Sequence, residues 1–135
     1  MSKMPDYDVP FKPGDPNEVK SDVLAPIDYQ YAKQRDIEIC ITQPEFTSVC
    51  PLSGLPDFGT IIIKYVPNKK IVEMKSLKYY LLQYRNVGIF YEHVVNRILD
   101  DMLGVLDPKR MEVSGEFTSR GGIEASVKAV FEGDT

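Results

Sequence analysis

Met111-Glu112-Val113-Ser114-Gly115-Glu116-Phe117-Thr118 alternates apolar or small residues with polar ones, and Ile123-Glu124-Ala125-Ser126-Val127-Lys128-Ala129 does the same. A period of two marks strands with one buried face. Ser119-Arg120-Gly121-Gly122 between them supplies turn chemistry, so the stretch predicts an antiparallel hairpin. Upstream, Val95, Ile98, Leu99, Met102 and Leu103 fall at helical spacing, with Gly104 near the helix end and Pro108 beyond it. Leu77, Tyr80, Leu81 and Tyr84 share one face of a shorter helix, with Ser76 as its candidate cap. Asn86-Val87-Gly88 separates the two helices. Ile37-Glu38-Ile39-Cys40-Ile41-Thr42 alternates as a half-buried strand does, and residues 60–66 form a second, Ile-rich strand. Residues 43–58, with Pro44, Pro51, Gly54 and Pro56, read as a loop, and residues 67–70 as a turn. The order strand-strand-helix-helix-strand-strand predicts an α+β fold: a four-stranded antiparallel sheet with two helices on one face. Such a sheet keeps one face and two edges to be covered, and association with further copies is a natural way to cover them.

Composition bounds the function. The chain has 135 residues and a net charge of −4, with 43% hydrophobic and 27% charged residues. That is one domain's worth of globular chain. Residues 1–34 stand apart, because Pro5, Pro10, Pro13, Pro16 and Pro26 punctuate a stretch poor in aliphatics. They read as an extended or flexible arm ahead of a domain over residues 35–135. No apolar run approaches the ~20 residues of a membrane-spanning helix, so no membrane partner is expected. The acidic balance argues against direct nucleic-acid binding, which needs a basic footprint. Cys40, Cys50 and His93 are a poor supply of soft metal ligands, and no metal is expected. The first residues lack a charged-then-apolar leader, so the expected location is the cytoplasm.

Several residues carry chemistry with two readings each. Cys50 lies in a loop seven residues before Asp57. It reads either as a nucleophile with a nearby acid or as a small buried loop residue. Asp57 follows Pro56 and reads either as a turn residue or as a buried proton carrier. Lys75 and Lys78 are three apart and share a helix face, either solvated or clamping a phosphate. Arg120 beside Gly121 reads as a turn arginine, or as a phosphate contact if it meets the lysines. Glu92 opens the second helix, where a carboxylate complements the helix dipole or accepts the N–H donors of a purine-like ring. The nine glycines include no G-x-G-x-x-G and no P-loop spacing. A nucleotide would therefore bind outside those two designs.

Taken together these pieces resemble the QueF family, the NADPH-dependent 7-cyano-7-deazaguanine reductases. The stretch Glu73-Met74-Lys75-Ser76-Leu77-Lys78-Tyr79-Tyr80 is similar to the family signature, with Met74 where Ser or Leu is usual. The segments Cys50-Pro51…Gly54…Pro56-Asp57-Phe58, Tyr84-Arg85-Asn86, Glu92 and Phe117…Arg120-Gly121-Gly122 match in order. The resemblance spans about residues 36–131. It implies the tunnelling fold, whose subunits assemble into a β-barrel tunnel with sites between subunits. The short form implies two stacked pentamers, a homodecamer.

The resemblance also implies a reaction in queuosine biosynthesis for tRNA modification. The nitrile of 7-cyano-7-deazaguanine becomes a primary amine at the expense of two NADPH. Cys50 is then the nucleophile that forms a covalent thioimide, and Asp57 the proton donor to the nitrile-derived nitrogen. Glu73 and Glu92, with their neighbours Val72, Met74 and Tyr91, then hold the deazaguanine. Lys75, Lys78, Arg120 and Gly121 then meet the NADPH phosphates. One departure touches proton delivery: many members carry His immediately before the glutamate, where this chain has Tyr91. His93 lies two residues on, about 200° around a helix, and does not replace it in direction. Two alternatives stand beside the reductase: an amidine-forming relative that acts on the nitrile within tRNA, and a non-catalytic oligomer that holds a deazapurine.

Overall fold

The structure is a computed structural model that describes residues 12–133. Strands β2 (Ile39–Val49), β3 (Pro56–Val66), β5 (Arg110–Arg120) and β6 (Ile123–Glu132) form one sheet in the order β2-β3-β5-β6. Every neighbouring pair in it is antiparallel. Helices α1 (Met74–Leu82) and α2 (Tyr91–Leu106) lie between β3 and β5 in the chain. The expected hairpin is present, with Gly121 at φ 57° and Gly122 at φ 83°. Both dihedrals lie in the left-handed region that a two-residue hairpin turn requires and that glycine adopts without steric cost.

Period-two burial makes one face of the sheet the core. Ile61, Ile63 and Tyr65 on β3 and Met111, Val113 and Phe117 on β5 point inward and are buried. Val94, Val95, Ile98 and Met102 of α2 meet this face with no exposed surface. The spacing of these four is the apolar stripe of an amphipathic helix. Leu77, Tyr80 and Leu81 add the buried face of α1. Opposite, Lys64, Glu112, Ser114, Glu116 and Lys128 make a polar outer face, where Glu112 approaches Lys128 and Arg110 at 3.7 and 3.9 Å. Cys40 is exposed on β2.

Two local differences from the sequence reading have physical causes. Strand β2 runs on through Pro44, where a loop was expected. A register shift between Gln43 and Phe46 absorbs the proline as a bulge. β2 is an edge strand, where a missing donor is tolerated. The cap of α1 is Glu73 rather than Ser76: the Lys75 and Ser76 amides donate to its two carboxylate oxygens at 2.7 and 2.9 Å. Ser76 instead donates to the Glu73 carbonyl and accepts from the Ala25 amide. Helix α2 ends as expected, with Gly104 in its last turn and Pro108 beyond it; its C-cap is Asp107, whose φ of 47° is the left-handed conformation.

Residues 1–11 of the expected arm lie outside the described residues. Residues 12–33 run along the domain. They carry 3-10 turns at Pro16–Glu18 and Ser21–Val23, then strand β1 (Pro26–Asp28), which pairs with β4 (Lys70–Val72). Val19 and Leu24 are buried in the core cluster. Arg97 pins the segment, donating to the carbonyls of Pro16 and Val19 at 3.1 and 2.9 Å. Its Nε pairs with Asp101, which also accepts from the Tyr80 hydroxyl at 2.5 Å.

Candidate active site

Cys50 follows the last residue of β2 and opens a closed turn. Its amide donates to the Leu55 carbonyl and its carbonyl accepts from Gly54, both at 2.9 Å. Gly54 has φ 73°, which permits that turn. Val49 is tied on its other side to the α1–α2 connection, donating to Val87 and accepting from Ile89. The thiol is thus held between two hydrogen-bonded strands of chain and is half-buried. Burial pushes the Cys50 thiol up. Hydrogen bonds from the Ser53 hydroxyl and the Ser53 and Leu52 amides outweigh that, and the net result is a lowered pKa despite the Asp57 charge nearby.

Asp57 is the second residue of β3 and is buried. The Tyr91 hydroxyl donates to its Oδ1 at 3.0 Å. The Arg120 guanidinium approaches the same Oδ1 at 3.0 Å and also donates to the Pro56 carbonyl. Among the described residues nothing donates to Oδ2. Burial, and then the bond to Asp57, push the Tyr91 phenol up to about 12. Its ring is stacked on Phe117, with centroids 3.9 Å apart and planes at 10°. Cys50, Asp57, Tyr91, Glu92 and Arg120 line one cleft of about 150 Å³, roofed by Phe90. The Glu92 carboxylate is exposed in the first turn of α2. A larger cavity of about 540 Å³ lies beside Tyr79 and Gln83, but it contains neither the thiol nor Asp57.

The remaining expected site residues lie elsewhere on this chain. Glu73, Met74, Lys75 and Lys78 sit at the start of α1, and Val72 ends β4; none lines the cleft. Lys75 and Lys78 are exposed and have no carboxylate within ion-pair distance among the described residues, and the Lys75 ammonium lies 5.9 Å from the Tyr79 ring centroid. Arg120, expected at a cofactor phosphate, pairs with the Asp57 carboxylate on this chain. Gly121 is exposed in the hairpin turn next to it. His93 is exposed and sits edge-on to Phe90. Among the described residues no three His, Cys, Asp or Glu side chains are grouped to hold a metal ion. Among the described residues no helix is long and apolar enough to cross a membrane.

Three residues at the site had no role assigned from the sequence, Phe117 standing there only as part of a motif. Ser53 tunes the thiol. Ser48 pairs with Asp57 across the β2–β3 register, and its hydroxyl is fully buried without a partner among the described residues. Phe117 supports Tyr91. Only the Ser53 signal is local, three residues from Cys50. The other two depend on cross-strand register.

This arrangement can do nucleophilic chemistry, since it holds a thiol of lowered pKa beside a carboxyl with one oxygen free to exchange a proton. Fold and cleft define a class: an α+β sheet protein with a thiol–carboxylate site at the sheet's end. A family model described as "QueF-like protein" matches residues 56–133. A protein of Chloroherpeton thalassium named NADPH-dependent 7-cyano-7-deazaguanine reductase is 53% identical over 116 residues, 86% of this chain and 99% of its own. A protein of the same name from Caldicellulosiruptor bescii is 54% identical over 114 residues, 84% of this chain and 86% of its own. Another from Chlorobaculum tepidum is 59% identical over 93 residues, 69% of this chain and 80% of its own. The chain belongs to the QueF family of NADPH-dependent 7-cyano-7-deazaguanine reductases. Its fold is shared with a solved structure described as the archaeosine synthase QueF-Like in the apo form. That likeness has TM-score 0.63 at 21% identity, covering 74% of this chain and 95% of the other. It identifies the scaffold as the tunnelling fold.

Proposed function

We propose that this chain reduces the nitrile of 7-cyano-7-deazaguanine to the aminomethyl group, with NADPH as co-substrate and Cys50 as a covalent nucleophile. The observation that carries the reading is the convergence of Cys50, Asp57 and Glu92 on one cleft. The Cys50 sulfur adds to the nitrile carbon. One C≡N π bond breaks, and its electron pair takes a proton from Asp57 Oδ2, leaving a thioimide. The Asp57 carboxylate takes that proton from the thiol as the sulfur attacks, so it ends as it began and the addition is proton-neutral. NADPH supplies two hydrides in succession, and solvent supplies the two protons that complete the amine. The C–S bond breaks after the first hydride and returns the free thiol. Tyr91 and Arg120 both hold Oδ1, which keeps Oδ2 toward the substrate.

Glu92 offers a carboxylate that accepts two N–H bonds from a guanine-like edge, a geometry that selects against purines lacking those donors. The cleft is small beside the ~300 Å³ or more of ordinary ligand pockets. Glu73, Lys75 and Lys78 lie outside it. Both facts suit a site completed by a second copy, in which the α1 start of one protomer faces the Cys50 cleft of its partner. The edge strands β2 and β6, unpaired on their outer sides among the described residues, and the polar outer face suit closure of several sheets into a barrel around a wet tunnel, as two stacked pentamers. The exposed Lys75 and Lys78 then hold the NADPH phosphates, with Gly121 close by. The test is NADPH oxidation with 7-cyano-7-deazaguanine by the wild type and by Cys50→Ala. Turnover by the first and none by the second is expected. Equal turnover by both excludes the covalent route.

A further inference from the structure

The contact that aims Tyr91 at Asp57 lies outside the cleft. Phe117 is on the inner face of β5, 4% exposed, with its ring parallel to that of Tyr91 at 3.9 Å. Aromatic pairs left to themselves favour offset or edge-on arrangements with centroids ~4.5–7 Å apart. The Phe117 ring of this close, parallel stack rests on a tight seat. That seat is made of two glycines. A Cβ added at Gly115 would stand 2.7 Å from Cε2 and Cζ of Phe117 and 3.1 Å from Val95 Cγ2. One added at Gly59, the cross-strand partner of Phe117, would stand 2.8 Å from Cδ1 and from the Glu116 carbonyl oxygen. The ring therefore fills the space that side chains at 59 and 115 would take. Tyr91 itself is the first residue of α2, and Phe90 before it provides no side-chain cap. An uncapped helix start frays, so its first side chain needs another anchor.

We propose that Phe117, seated over Gly59 and Gly115, is a positioning residue of this site: it fixes the Tyr91 ring so that the hydroxyl stays on Asp57 Oδ1 and Oδ2 stays toward the substrate. The proposal rests on the thiol–carboxylate reading above. It makes Phe117 act only through the Tyr91 hydroxyl, which a general packing role does not require. A double-mutant cycle separates the two.

The quantity to measure is the rate of mass gain at Cys50 on adding saturating 7-cyano-7-deazaguanine without NADPH. It is measured for the wild type, Tyr91→Phe, Phe117→Leu and the double variant, each checked for a cooperative melt. Tyr91→Phe keeps the stack and removes the hydroxyl, so folding is the least disturbed. The loss of a hydrogen bond to a charged group slows it about tenfold or more. Phe117→Leu is expected to slow the rate similarly, and the double variant to be no slower than Tyr91→Phe alone. Gly115→Ala, which drives the Phe117 ring off its seat, is expected to follow the same pattern and serves if Phe117→Leu does not fold. A wild-type rate in Tyr91→Phe, or slowing factors that multiply in the double variant, overturns the proposal. No mass gain in the wild type overturns the thiol reading itself, and this proposal with it.

Discussion

Replacing Asp57 by Asn isolates the proton-transfer role from the fold. Asn has the same shape and keeps an oxygen for the Tyr91 hydroxyl at the Oδ1 position. Its amide nitrogen then takes the place of Oδ2, the atom that delivers the proton in the proposed reaction, and an amide delivers no proton. The stability cost is small. Arg120 keeps the Pro56 carbonyl and has 41% of its side chain exposed, so the lost ion pair is worth about 1 kcal/mol or less after solvent screening. Positioned acid–base groups contribute about 10²- to 10⁴-fold in rate, equivalent to roughly 3–5.5 kcal/mol of barrier. Asp57→Asn is therefore expected to form the Cys50 adduct at least about 100-fold more slowly, with a melting temperature within a few degrees of the wild type. Adduct formation is followed by intact mass over time at saturating substrate. A rate within threefold of the wild type, in a variant that melts normally, refutes the assignment of the proton to Asp57.

Other outcomes follow from the same geometry. Ser53→Ala removes the hydroxyl that opposes burial at Cys50, so the midpoint of the pH–alkylation profile, read by iodoacetamide labelling of the Cys50 peptide, moves up; an unmoved midpoint counts against the Ser53 contact. Tyr84 is pushed from 10 up to about 12, chiefly by burial. A folded pKa above the unfolded one gives stability that is complete below about pH 10 and is lost between about pH 10 and 12, up to roughly 2–3 kcal/mol. Urea midpoints at pH 9 and 11.5 are expected to differ less in Tyr84→Phe than in the wild type, and equal differences refute this. Lys75→Ala and Lys78→Ala are expected to raise the KM for NADPH about tenfold each, as the loss of a charge-assisted phosphate contact does; unchanged KM values remove the lysines from the cofactor site. Asp107→Gly relieves a non-glycine left-handed cap and is expected to raise stability by about 1 kcal/mol, read as a rise in denaturant midpoint.

The legible parts of the fold are those whose signal is local and periodic. The β5–β6 hairpin shows in its alternation and in Gly121-Gly122, and α2 in its apolar stripe. β2 beyond Thr42 does not show, because Pro44 reads as a breaker unless the strand is known to be an edge that bulges. β1 and β4 are three residues each, too short for any period, and exist through pairing across the chain. The site divides in the same way. Cys50, Asp57 and Glu92 stand out through an ordered set of motifs, and one cleft holds them. Their mutual contacts do not show. The bond from Tyr91 to Asp57 joins the first residue of a helix to a strand 34 positions earlier. Ser48 faces Asp57, and Phe117 covers Gly59, through strand register alone. Glu73 is recognisable as part of a motif, yet the chain uses its carboxylate to cap α1, away from the thiol.

The most direct test of the covalent reaction is a mass chase on the wild-type protein. 7-Cyano-7-deazaguanine is added alone, and NADPH afterwards. The account predicts a mass gain equal to one intact substrate, located at Cys50, that disappears on NADPH addition as NADPH is oxidised and the aminomethyl product is released. An adduct that persists while NADPH remains unoxidised, or turnover with no involvement of Cys50, would contradict it.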